Sequence, residues 1–126
     1  MSVVYDAGVL VAADRDDRAI WADHRIRLEL GAVPTTTAPV VAQVSRSPRQ
    51  AQLRRFLRGC EIVAFLPDQA HEVGALLGKA GTSDVVDAHL VVCAAVTTST
   101  VLTSDLDDLR KISSNVVTPV PVRNII

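Results

Sequence analysis

The stretch VLTSDLDDL, residues 101–109, places Asp105, Asp107 and Asp108 within four positions directly after an apolar run. No Lys or Arg separates them. Two chemistries account for such crowding. Acids near a helix start satisfy free N–H groups and offset the helix dipole. Acids gathered in a cleft hold a cation. Asp6 follows the apolar run VVY, and Asp84 and Asp87 open the apolar stretch SDVVDAHLVVCAAVT. Their spacing of three puts Asp84 and Asp87 on one face of a helix. Asp87 shares that helix with Val86, Leu90, Val91 and Ala94. An ionised carboxylate in such company is costly unless a cation or several donors satisfy it. Carboxylates sharing a cleft also raise one another's pKa. A divalent metal relieves both penalties. Oxygen ligands without a His or Cys set suit Mg2+ or Mn2+ rather than Zn2+.

Each acid also has a plain structural reading. Asp84 favours a helix dipole, Asp6 can cap a helix after the first strand, and Ser104-x-x-Asp107 has the pattern of a capping box. Dipole effects do not explain all three groups together.

The elements that must position these acids are readable from pattern. VVY (3–5) is a short strand, and GVLVAAD a short helix. Residues 14–30 form an amphipathic helix that Gly31 ends. AVPTTT (32–37) is a second strand with Pro34 at its start or on an edge. Two helices follow: 38–47 with Pro39 in its first turn, and 47–59 with Ser47 as N-cap. EIVAFL (61–66) is the third strand, 67–81 a helix between Pro and Gly, and 83–97 a buried helix. TVLTS (100–104) is the fourth strand, DLDDLRKIS a short helix, and 115–122 an edge strand carrying Pro119 and Pro121. Strands alternating with helices predict an α/β fold: a three-layer α/β/α sandwich around a central, mostly parallel sheet of about five strands. In such a sheet, sites form beyond the carboxyl ends of the strands. Asp6, Asp87 and Asp105 can all reach that rim.

Composition bounds the rest. The 126 residues make one domain, 1–126, with apolar residues at 48 % and charged residues at 21 %, which excludes a disordered chain. No apolar run reaches the roughly 20 residues of a membrane span. The opening has no basic stretch ahead of its apolar residues, so no signal peptide is expected. Cys60 and Cys93 lack metal-type spacing and read as reduced thiols of a cytoplasmic protein. The net charge of −1 hides a segregation. Residues 31–60 hold Arg46, Arg49, Arg54, Arg55 and Arg58 and no acid, whereas 84–108 hold five Asp and no Lys or Arg. The arginines read as a surface for RNA phosphates or for an acidic protein segment.

VVYDAGVLVAA, DVVDAHLVVCAA and VLTSDLDDL, in this order and spacing, resemble the PIN-domain signature, in particular the VapC-type toxins of bacterial toxin–antitoxin pairs. The resemblance covers essentially the whole chain. It implies a PIN-like fold and an Mg2+- or Mn2+-dependent endoribonuclease leaving 5′-phosphate and 3′-hydroxyl ends. It also implies a homodimer inhibited by a cognate antitoxin. By matching position it makes Asp6, Asp87 and Asp105 catalytic metal ligands and Asp108 a further ligand. Asp84 is an auxiliary acid, and Thr103 and Ser104 would orient the third acid by hydrogen bonding. One departure stands out: where the family usually has a Glu in the helix after strand two, this chain has Gln43. Gln coordinates through its carbonyl oxygen but adds no charge. Gln43 therefore keeps open a second reading, a PIN-like module that binds RNA or protein without cleaving. A phospho-receiver domain is excluded by the lone Asp6 and the absence of Lys after the last strand. An acidic-motif phosphatase is excluded because Asp6 is followed by Ala-Gly rather than x-Asp.

Overall fold

A computed structural model describes residues 2–125. The first strand, β1 (Val3–Tyr5), leads into α1 (Ala7–Asp14) and α2 (Arg18–Glu29). Then come β2 (Thr35–Thr37), α3 (Ala38–Val44), α4 (Ala51–Leu57) and β3 (Glu61–Val63). A 3-10 turn (Pro67–Gln69) enters α5 (Ala70–Ala80), followed by α6 (Val85–Val96), β4 (Thr100–Thr103), α7 (Leu106–Ser113) and β5 (Val122–Asn124). The five strands run in the order β3-β2-β1-β4-β5, and every pairing is parallel. This is the expected α/β architecture, with a wholly parallel sheet.

The order has a functional consequence. The chain steps from β1 toward β3 on one side, then returns to lay β4 and β5 on the other. Right-handed crossovers therefore send α1–α4 to one face and α5–α7 to the opposite face. The direction reverses between β1 and β4, and a crevice opens where strand order reverses. Asp6 follows β1 and Asp105 follows β4, so both stand at that crevice.

Aliphatic side chains fill most of the core, with Val4, Leu10, Leu90, Val91, Val101 and Leu109 fully buried. The few aromatic rings are concentrated. Tyr5, Trp21 and Phe56 surround the buried His24, which stacks on Phe56 at 3.9 Å between ring centres. The Tyr5 hydroxyl meets His24 Nδ1 at 3.0 Å. Gly59 is required here, because a Cβ would lie 2.8 Å from His24 Nε2.

Several sequence expectations need correction. β2 lies inside the sheet, so Pro34 marks a strand start and not an edge. Pro34 has no N–H to lose from the ladder, and its carbonyl accepts from Glu61 N at 2.9 Å. The amphipathic helix begins at Arg18 rather than 14, because Asp17 caps it by accepting from Ile20 N. Ser47 does not start α4. Its hydroxyl accepts from Arg49 N within a turn, and the helix opens four residues later. The third strand stops at Val63. The last strand is an edge strand as expected, but begins only after Pro121.

Candidate functional site

The site starts from two helix ends whose acids do not cap. Asp6 precedes α1 and Asp105 precedes α7, both at N-cap positions, and neither side chain accepts a bond from its own helix. Asp6 Oδ2 instead accepts a 2.6 Å bond from the Thr103 hydroxyl, across the β1–β4 pair. The same Thr103 oxygen accepts from the Asp105 N–H at 2.9 Å. Thr103 is fully buried, so one hydroxyl fixes the carboxylate after β1 and the backbone that carries the acid after β4. The expected role for Thr103 is thus wider: it orients Asp6 by its hydroxyl and Asp105 only through the main chain. Among the described residues Ser104 forms no side-chain hydrogen bond; it lies against Gly8, where an added Cβ would come within 2.8 Å of Ser104 Cβ. The capping box Ser104-x-x-Asp107 does not form.

Asp84 behaves differently. It is the N-cap of α6 and accepts from Asp87 N at 3.0 Å. The plain reading therefore holds for Asp84 and fails for Asp6 and Asp105. Asp87, half-buried on the first turn of α6, is the most strongly perturbed of the acids. Burial, then the charges of Asp6, Asp84 and Asp105 and the hydrogen bond with Asp84, raise its carboxyl from the ordinary 3.8 to about 7. The acids from β1, α6 and β4 thus act on one another. The exposed Asp108 is likewise raised, chiefly by Asp105, and Lys111 opposes the shift.

Asp84, Asp87 and Asp108 line a small cleft of about 80 Å3 with Thr82, Lys111 and Ile112. Lys111 was not foreseen. It lies one turn after Asp108 on α7, and only the packing of α7 against α6 brings it to the acids. Gln43 lies exposed on α3. Among the described residues it forms no side-chain hydrogen bond, so nothing ties it to the acids. His89 and Cys93 pack together inside the protein, with Sγ 3.3 Å from Nε2 and Phe65 stacked on the imidazole.

The arginines of the 46–58 stretch make different contacts. Arg46 donates to the Ala42 and Ser45 carbonyls, and Arg54 to the Pro48 carbonyl. Arg55 lies over the Trp21 ring, while Arg49 and Arg58 are exposed.

Among the described residues, no three Asp, Glu, His or Cys side chains stand close enough to grip one ion as placed. The donor chemistry nevertheless fits a hard divalent cation. The crevice offers only carboxylates as strong ligands, and one of them, Asp87, is raised by burial and by the acids around it.

Similar architecture occurs in solved structures. VapBC2 from Rickettsia felis, bound to a DNA fragment from its promoter, aligns over 98 % of this chain and 98 % of its own, with TM-score 0.70 and 17 % identity. PAE2754 from Pyrobaculum aerophilum aligns over 99 % of this chain and 92 % of its own, with TM-score 0.66 and 15 % identity. FitAB bound to an IR36 DNA fragment aligns over 98 % and 94 %, with TM-score 0.63 and 13 % identity. The fold is PIN-like. At these identities the likeness is one of fold. No protein-family model matches the sequence, and neither does any curated protein compared with it.

Proposed function

We propose that this single PIN-like domain is a metal-dependent endoribonuclease, the toxin of a toxin–antitoxin pair. One observation carries the reading: Asp87 is driven toward protonation by burial and by acids arriving from three elements. Apart from the Asp84 cap, these acids repel one another and oppose the fold. Asp6, Asp87 and Asp105, with Asp108, would hold Mg2+ or Mn2+. When bound, the ion supplies Lewis-acid activation of a phosphate oxygen and of a water.

The chain's own groups divide the remaining work. Thr103 holds one oxygen of Asp6 and leaves the other free to orient or deprotonate water. Lys111, in the cleft with Asp87 and Asp108, offers a cation to a phosphate oxygen. Asp84 fixes the first turn of α6 and so the direction of Asp87. The solved complexes of similar fold include partner-bearing assemblies named VapBC2 and FitAB, which supports a cognate antitoxin. A homodimer and a cytoplasmic location belong to the same reading. No described helix is long and apolar enough to cross a membrane.

Gln43 favours the second reading, a binder without cleavage. Incubating the protein with RNA and Mn2+ beside an Asp6→Asn/Asp87→Asn variant separates the two. Cleavage by the parent alone supports the nuclease. RNA left intact by both supports the binder.

A further inference from the structure

We propose that a cleft between α2 and α4, where Arg18, Arg25 and Arg55 surround Trp21, grips phosphodiester groups of single-stranded RNA. The cleft has a volume of about 250 Å3, and Asp16 and Ala22 complete its lining. Arg18, Trp21 and Arg25 recur at intervals of three and four along α2, so they share one face. Arg55 reaches over from α4 and lays its guanidinium 4.7 Å from the centre of the Trp21 ring. Trp21 is itself fixed. Its indole N–H donates to the Ala13 carbonyl at 3.0 Å, and Phe56 meets its ring edge-on at 5.1 Å. The aromatic platform and one guanidinium are therefore preorganised.

Among the described residues, no carboxylate pairs with Arg18, Arg25 or Arg55; the one ion pair joins Arg27 to Asp23. Asp16 lines the cleft without closing an ion pair. Three guanidiniums around one hollow, with a single unpaired acid, leave an excess of positive charge that a bound anion relieves. Guanidinium forks match phosphate and carboxylate alike. Three guanidiniums with only Ala22 and part of the indole as apolar lining suit a ligand bound through its anionic groups alone, as a phosphodiester backbone is. The oligoglutamate arm below separates it from an acidic protein segment. Placement adds to this. Asp6 stands at one end of α1 and Ala13, which holds Trp21, near the other, about 10 Å along the axis. A strand engaged at the acids carries further phosphates that the arginines can meet. For the choice of RNA, the proposal rests on the ribonuclease reading.

Trp21 is the only tryptophan, so its fluorescence reports this cleft. The full-length protein is titrated with decauridine RNA in EDTA, which reads binding apart from cleavage. Saturable quenching of Trp21 is expected. Arg18→Gln/Arg25→Gln should weaken binding roughly tenfold at low salt. It should also flatten the slope of log K against log salt by about 1.4, two contacts at about 0.7 each. Lys79→Gln/Arg110→Gln, of equal charge, should keep the parent slope. Unchanged affinity and slope in the Arg18→Gln/Arg25→Gln protein overturn the proposal. So does RNA binding, read by anisotropy, that leaves Trp21 fluorescence unmoved. Quenching by oligoglutamate equal to that by decauridine overturns it in favour of an acidic protein partner. Cleft binding intact beside a blank cleavage assay supports the cleft and removes the ribonuclease reading.

Discussion

Asp6, Asp84 and Asp105 all stand at helix N-caps, yet only Asp84 caps. A residue type and a position do not reveal where a side chain points, and the sequence left the two uses of Asp open at each site. What was legible was the recurrence of acids after β1, at the start of the buried helix and after β4. What was not legible was the bond of the buried Thr103 hydroxyl to Asp6, or Lys111 beside Asp84 and Asp87, since both depend on contacts between distant elements. Asp87 yields a prediction at this scale. Its carboxyl is raised in the folded state, so the fold binds more protons than the unfolded chain between about pH 4 and 7. Its contribution is fully present below about pH 4 and is lost as pH rises through about 7. Asp87→Asn should therefore stabilise the metal-free protein at pH 8, on the order of 1–3 kcal/mol after solvent screening, and do little at pH 4. Urea unfolding in EDTA at both pH values checks this. Equal effects at both would disprove the linkage.

At the scale of elements, alternation of strand and helix patterns was enough to give the layers, and the number of strands was right. Boundaries failed where local chemistry was satisfied differently. Ser47 looks like a helix cap, but it closes a turn, and Gln50 then bonds Asp14 and the Val44 carbonyl. Strand order was invisible locally, because it is set by which element covers which face. Gly8 links elements to the site. It sits in the first turn of α1, directly against Ser104. A methyl group there would displace the loop that carries Asp105. Gly8→Ala should cost roughly 1–3 kcal/mol through overpacking and lower cleavage more than Ala→Gly changes elsewhere on the surface. Thermal unfolding and the RNA assay together check it; an unaltered Tm and rate would show that the contact is slack.

At the scale of the whole molecule, the Arg27–Asp23 ion pair joins two neighbours on one turn of α2, half exposed at Asp23. That pair therefore does little for stability, and the charges remain segregated, acids at the β1–β4 crevice and arginines between α2 and α4. A cation that binds only the folded crevice must stabilise the whole fold. Mn2+ at about 100 times its dissociation constant should add about 2.7 kcal/mol, and the Asp6→Asn/Asp87→Asn variant should lose that gain. Differential scanning calorimetry with and without Mn2+ reads the difference. An equal Tm rise in both proteins would place the ion elsewhere. Because Asp87 must release its proton to bind, Mn2+ affinity should climb with pH up to about 7, as titration calorimetry across pH would show.

The Thr103–Asp6 bond spans 97 positions of chain. During synthesis, Asp6 emerges from the ribosome long before its clamp exists. Any product cut short before β4 carries some of the acids but lacks the hydroxyl that aligns the first and the loop that delivers the last. The aligned acids can therefore come together only when translation has passed β4, by the order of residues alone.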